Sequence, residues 1–325
     1  MSEGGDYEPV SWGGGHDFSS ARDDYSSRAK TSFVDAVDRG VKASDLLPKT
    51  LKTNCRNPLL INVDQTGSVG EKFLKVLFSK LPYILHEAKT EYMGKDVEVS
   101  WGATGDAYNP NREKYPLQAL DFATGEDSLK KMNSLVLEGD GGGSSQETYE
   151  LTALYYARNV EMPKAIRPLL IFIGDESPYA KVRKEQARVI AYCDIDDDLS
   201  TGDVFEELKR EFSVYFVQKP YGNETLSQGG LTGTTLRVHT DWASLVGEDH
   251  IALLDDPDRV ADVIFGIMAQ EAGKVQYFKK EIEDRQKPDQ VQSAYRALRT
   301  IHTPSDPKAR KLESRSVTRH RKVGD

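Results

Sequence analysis

Three short segments carry oxygen donors at spacings that can meet at one point: Asp64-Gln65-Thr66-Gly67-Ser68, the loop Gly142-Gly143-Ser144-Ser145, and Gly174-Asp175-Glu176-Ser177. Asp, Thr and Ser at alternate positions let one tight loop present three oxygens together. Two Asp with several neutral hydroxyls are hard ligands. They suit a small hard cation, Mg²⁺ first because it prefers octahedral oxygen coordination and keeps some waters, with Ca²⁺ or Mn²⁺ as other hard divalent choices. No His or Cys accompanies them, so zinc is not expected. A site so poor in directly bound charge leaves the metal electrophilic. Asp106 and Glu147 are placed to approach the same rim and are read as supporting groups.

In open α/β sheets, ligands sit at the carboxyl ends of the strands, near the point where strand order reverses. The apolar runs place such strands at Pro58 to Val63, Val97 to Ala103, Leu117 to Phe122, Leu169 to Ile173, Ser213 to Gln218 and, weakly, His250 to Leu254. Leu169 to Ile173 is apolar without alternation, the mark of a strand covered on both faces. Helical spacing predicts a short helix with an extended lead-in within Ser32 to Leu47, and helices near Phe73 to Ala88 with a kink at Pro82, 126–137, 147–160, Lys181 to Tyr192 and Pro257 to Ala272. Strands alternating with helices predict an α/β fold: an open, mostly parallel Rossmann-like sheet with helices on both faces and one antiparallel edge strand. Residues 1–55 read as an N-terminal arm and lead-in, 56–272 as the α/β domain, and 273–325 as a basic C-terminal tail.

Over residues 56–272 the three segments resemble the von Willebrand factor type A domain with its metal-ion-dependent adhesion site. The family's Asp-x-Ser-x-Ser is matched by Asp64, Thr66 and Ser68, with a hydroxyl preserved at Thr66. Its Thr after a glycine pair is matched by Ser144, Ser145 or, slightly later, Thr148, and its Asp beyond the central strand by Asp175. The resemblance implies that hydroxyls bind the metal directly, that carboxylates often act through water, and that one coordination position is left for an Asp or Glu of a protein partner. The expected function is therefore a non-enzymatic, metal-dependent protein-binding module. The alternative is a magnesium-dependent phosphohydrolase with Asp64 as nucleophile and Asp175 as a metal ligand, and a third possibility is a structural component whose site has lost metal binding.

Other signals weigh less. Asp64 to Gly67 is no aspartic-protease motif, because Gln65 intervenes and no second copy supplies the other carboxyl. The glycines at 141–143 lack the Lys-Ser or Lys-Thr of a phosphate-binding loop. Asp194, Asp196 and Asp198 have the alternation of a calcium loop, but Leu199 and Phe205 stand where glycine and glutamate belong, so an acidic lead-in to a helix near Asp203 is expected. Ser177 lacks a nucleophile elbow. The loop from Thr104 to Pro116, with Tyr108 and Tyr115, is a candidate part of the partner surface.

The 325 residues carry 43 Lys or Arg against 52 Asp or Glu, a net charge of −9, so nucleic acid is not the expected partner. From Lys279 onward 13 Lys or Arg face 7 Asp or Glu, a net +6 that leaves −15 on residues 1–278. Such a tail reads as a solvated appendage or as a device for docking or self-association. No apolar run approaches the ~20 residues of a membrane span, so no membrane partner is expected. Two cysteines, Cys55 and Cys193, make no disulfide framework, and the first twenty residues lack the basic start and apolar stretch of a secretory signal. A reducing, cytoplasmic setting is the expectation.

Overall fold

The runs at 59–64 and 169–174 are buried at every position, and their apolar residues divide by alternation between two separate clusters: Leu59, Ile61, Val63, Leu169, Ile171 and Ile173 in one, Leu60, Leu170 and Phe172 in the other. Strand side chains alternate between faces, so each run needs an apolar layer on both sides. The computed structural model describes residues 36–66, 77, 80, 84–108, 113–137, 144–222, 224–226 and 230–302. It meets that need with a six-stranded sheet of β1 (Leu59–Asp64), β2 (Val99–Thr104), β3 (Leu117–Ala119), β4 (Leu169–Gly174), β5 (Ser213–Gln218) and β6 (Ile251–Leu253), in spatial order β6-β5-β4-β1-β2-β3. Neighbours are parallel except β2 and β3, where Gly102 faces Ala119 at the sheet's edge. This is the expected architecture. Strand order reverses between β1 and β4, and Val63 pairs with Ile173, so the carboxyl ends of these two strands lie side by side.

Besides a single turn at Ala43–Leu46, the helices that lie wholly among the described residues are α1 (Gly125–Met132), α2 (Tyr149–Asn159), α3 (Lys184–Val189), α4 (Thr201–Glu211), α5 (Gly233–Val246), α6 (Val260–Ala272), α7 (Val275–Arg285) and α8 (Pro288–Ala297). Helices α2 to α5 cover one face of the sheet through residues such as Leu154, Ala187, Phe205 and Trp242. Helices α1 and α6 to α8 supply the cluster on the other. The acidic stretch before α4 acts as a lead-in, as expected. Ser200 Oγ accepts from the Asp203 N–H at 3.1 Å, and Asp198 Oδ1 accepts from the Lys184 N–H at 3.0 Å.

Several elements differ from expectation. Helix α5 is absent from the sequence reading. It is anchored by Trp242, which stacks on Phe216 of β5 with ring centroids 3.9 Å apart. The edge strand stops at Ala119, although pairing resumes irregularly through Leu120 N–H to Trp101 O and the Val99–Ala123 bridge. The helix expected over 181–192 is confined to α3, because Lys181–Val182 pairs antiparallel with Leu199–Ser200. Of the helix expected over Phe73 to Ala88, the described residues 84–87 are helical and run into a wider π turn at Ala88–Tyr92, and the kink expected at Pro82 lies outside the described residues.

The basic segment expected as an appendage begins instead with two packed helices. Helix α6 is buried from Val260 to Ala269, and a helix apolar all round must be covered on both sides. The sheet covers one side; Phe278, Ile282, Val291, Ala294 and Leu298 cover the other. Gly266 makes the approach possible, because a Cβ there would overlap the Leu298 side chain. Residues 303–325 lie outside the described residues. Among those described, no helix is long and apolar enough to cross a membrane, and Cys55 and Cys193 are buried free thiols.

Candidate functional site

Asp64 closes β1 and Asp175 follows β4, so the strand-order reversal brings the two expected carboxylates to one end of the sheet, both 0% exposed. Asp64 Oδ1 accepts from Thr66 N–H at 2.8 Å and Thr66 Oγ–H at 2.6 Å, a local turn that fixes Thr66 beside it. Asp64 Oδ2 accepts from Tyr149 Oη–H at 2.8 Å. Tyr149 is the first residue of α2 and reaches Asp64 across the end of β4. Only glycine at 174 permits this: a Cβ there would overlap Tyr149 Oη and sit 3.0 Å from Asp64 Cβ.

Asp175 Oδ2 accepts from Lys219 Nζ at 3.2 Å and from the Gly222 N–H at 3.1 Å. Lys219 immediately follows β5. Glu176 is placed by its carbonyl, which accepts from Trp242 Nε1–H at 2.9 Å. Glu147 comes alongside it because Gln146–Glu147 pairs in parallel with Ser177–Pro178. Glu147 is 1% exposed, and its Oε2 has no hydrogen-bond partner among the described residues.

The electrostatics follow from this crowding. Burial lifts the Asp64 carboxyl well above its ordinary range, the charges of Asp175 and Glu176 add to the lift, and the Thr66 donors oppose it. Glu147 is raised far above the carboxylate range, first by burial and then by Asp64 and Glu176. Tyr149 is raised by burial and by Asp64, which keeps its phenol protonated and donating. Each raised carboxyl is penalised in its ionised form, and a cation among them would reverse the penalty.

The remaining expected residues divide. Ser68 lies outside the described residues, as do Gly142 and Gly143. Ser144 Oγ donates to Gln146 O at 3.0 Å and lies 3.2 Å from Tyr179 Oη on the exposed rim. Ser145, at φ 54°, turns its Oγ to Ser144 O at 2.6 Å and accepts from Arg237 Nη2 at 2.6 Å. Both hydroxyls are engaged with the rim rather than with Asp64 or Asp175. Thr148 is buried and donates to Gly105 O at 2.5 Å. Asp106, expected as a supporting group, accepts on Oδ1 from Tyr108 N–H at 2.9 Å and Tyr179 Oη–H at 3.1 Å. The rings of Tyr108 and Tyr179 lie 4.0 Å apart with the Arg183 guanidinium 4.9 Å over Tyr108. Tyr115 is buried and donates to Val41 O at 2.9 Å, so it supports the fold rather than a partner surface.

Sequence reasoning missed Tyr149, Lys219 and the part played by Glu176. Lys219 was within reach, because the rule that selects Asp64 and Asp175, inspection of the residue after each apolar strand, also selects the residue after Ser213 to Gln218. Tyr149 carried no such signal, since its contact spans 85 residues of sequence.

Among the described residues, no three His, Cys, Asp or Glu side chains form a metal-holding group. The expected site draws on two carboxylates and several hydroxyls, a different donor set. Its chemistry suits a small hard cation: hard oxygen donors meet at the β1/β4 reversal, and the buried Glu147 Oε2 has no hydrogen-bond partner among the described residues. Asp64, Thr66 and Asp175 are the described residues that would hold it.

No family model and no curated protein matches the chain. Solved structures that it matches include the pilus adhesin SpaC of Lactobacillus rhamnosus GG, with TM-score 0.49, 12% identity and coverage of 70% of this chain and 32% of the adhesin. Proximal thread matrix protein 1 of the mussel byssus matches with TM-score 0.43, 11% identity and coverage of 67% and 48%. An aerotolerance-related membrane protein of Bacteroides fragilis matches with TM-score 0.35, 12% identity and coverage of 67% and 99%. The chain thus spans about a third of the adhesin's length. At these identities and scores the likeness says nothing of what this chain binds.

Proposed function

We propose that this chain is a protein-binding module of the von Willebrand factor type A kind, which captures an Asp or Glu of a partner through a divalent cation. The cation is Mg²⁺, or the similarly hard Mn²⁺ or Ca²⁺. Asp64, Thr66 and Asp175 hold it, with Ser68 and one of Ser144, Ser145 or Thr148 as further hydroxyl donors. The observation that carries this reading is the convergence of the buried Asp64 and Asp175 at the β1/β4 reversal, with Thr66 held beside Asp64 and the buried Glu147 Oε2 without a hydrogen-bond partner among the described residues. A partner carboxylate completing the cation's shell makes a charge-assisted contact in a site already shielded from water. Long-range repulsion from the acidic body opposes the encounter, and salt screens it, so binding strengthens with moderate salt and requires the cation.

The phosphohydrolase reading is less well supported. A nucleophilic Asp64 must itself meet the phosphorus of an incoming ester, whereas its carboxyl is 0% exposed; as a cation ligand it need not touch the partner. The test is capture of a protein partner in Mg²⁺ and in chelator, with wild type and Asp175→Ala, alongside turnover of a generic phosphate ester. Cation-dependent capture lost in Asp175→Ala, without turnover, supports adhesion. Turnover that disappears in Asp64→Ala, or capture indifferent to chelator and substitution, overturns it.

A further inference from the structure

We propose that Lys219 sets the cation affinity of this site, its ammonium being a resident positive charge that competes with an incoming divalent cation for Asp175. The inference rests on the cation-binding reading above and adds the residue that tunes it. Lys219 is held in place from both ends. Its N–H donates to Gly174 O at 2.9 Å, which extends the β5–β4 ladder one residue past the strand. Among the described residues, its Nζ donates to Asp175 Oδ2 at 3.2 Å, to Pro220 O at 3.0 Å and to Gly222 O at 3.2 Å. The side chain is 11% exposed. Gly222 closes the turn at φ 52°, a left-handed conformation that suits glycine, and its own N–H supports the same Asp175 oxygen at 3.1 Å.

The consequence is a site whose two aspartates are unequal. Asp175 already faces a fixed cation, whereas among the described residues Asp64 receives neutral donors, from Thr66 and Tyr149. A divalent cation entering between them meets a like charge on one side, and it binds Asp175 only by sharing that carboxylate with the ammonium or displacing it. A like charge this close to a cation, in a medium of intermediate dielectric, lowers affinity on the order of tenfold or more. The geometry therefore makes the resting protein a weak or partial cation binder whose grip depends on where Lys219 points.

The test is titration of the full chain with Mn²⁺, by calorimetry and by melting in Mn²⁺ and in chelator, for wild type, Lys219→Gln and Lys219→Arg. The Gln amide keeps a hydrogen-bond donor but carries no charge; Arg keeps the charge. The expected result is Mn²⁺ binding on the order of tenfold tighter in Lys219→Gln, with a wider melting gap between Mn²⁺ and chelator, and wild-type affinity in Lys219→Arg. Equal or weaker affinity in Lys219→Gln, with wild-type binding still lost in Asp175→Ala, overturns the role of Lys219 and leaves the cation site standing. Binding by Lys219→Gln but not by wild type supports the competition and overturns cation dependence of the native protein. Absence of binding in both overturns both readings. A measurement on the folded wild type guards against a variant that fails to fold: the Lys219 side-chain NMR signal should move as Mg²⁺ is added, and an unmoved signal while Mg²⁺ binds overturns the inference.

Discussion

Asp64 and Asp262 are both buried acids, and the molecule treats them in opposite ways. Asp262, on α6, meets Arg259 Nη1 at 3.0 Å and Gln286 Nε2 at 3.3 Å, so its charge is matched by a cation of its own layer. Asp64 stands among Asp175, Glu176 and Glu147, accepts from neutral groups, and is pushed toward its protonated form. Asp262 is 1% exposed, on a helix that Phe278, Ile282 and Val291 help to cover. A buried carboxylate with its own guanidinium completes a structure. On the cation-binding reading proposed above, a buried carboxyl cluster with too little positive charge is one that a ligand can relieve, so two regions of one domain separate architecture from binding.

The largest effect expected is on the architectural side. Phe278→Ala should cost about 3–5 kcal/mol of stability and leave the stabilisation by Mg²⁺ unchanged, as read by chemical denaturation with and without the cation. Loss of the Mg²⁺ response in that variant would break the separation. Gly174→Ala should cost roughly 1–3 kcal/mol through overpacking and abolish the Mg²⁺ response as well, because Tyr149 and Asp64 cannot both keep their places. A variant that melts lower yet still responds to Mg²⁺ would show that the contact is dispensable for the cation.

Cation addition to wild type should stabilise the fold by about 2.7 kcal/mol at 100 times the dissociation constant, and unchanged melting in saturating Mg²⁺ and in chelator would count against the site. The pH dependence sharpens this. The folded-state affinities of Asp64 and Glu147 for protons are raised above those of the unfolded chain, so the folded state binds more protons. Their contribution is fully present below the ordinary carboxylate range and is lost as pH rises through the folded values. In chelator, stability should therefore fall from about pH 5 to about pH 8, by up to roughly 1.4 kcal/mol per pH unit for each proton retained. Saturating Mg²⁺ should flatten the slope. Glu150, also buried and raised, supplies a part that the cation leaves, and Glu147→Gln should remove the Glu147 part. A slope indifferent to Mg²⁺ would place these shifts outside the cation site.

The smallest effect belongs to the serine loop. Ser144→Ala, at an exposed position, should change stability by less than about 0.5 kcal/mol. If Mg²⁺ binding is nevertheless lost, measured by calorimetry, the loop rearranges to supply a ligand; if it persists, the hydroxyl donor is elsewhere.

Much of the framework was legible from residue order alone. The unalternating run at Leu169 to Ile173 announced a strand covered on both faces, and the alternation of strands with helices announced an open parallel sheet. From those two, the rule of strand carboxyl ends was enough to select Asp64 and Asp175. The C-terminal layer was hidden because charge was read before spacing. Phe278 and Ile282 stand four residues apart, as do Ala294 and Leu298, among basic residues whose long side chains tolerate one buried flank.

What the amino-acid order determined by itself is local: apolar period, the hydroxyl–carboxylate pattern after β1, the acid after β4. Tertiary structure decided what each acid faces. The contact of Tyr149 with Asp64 depends on α2 crossing the end of β4 at Gly174, and that of Lys219 with Asp175 depends on β5 lying beside β4. Ser144 and Ser145 turn toward Gln146, Tyr179 and Arg237 instead. Coordination and charge compensation act over a few ångströms, and those distances are set by strand order and helix crossing, which no spacing along the chain encodes.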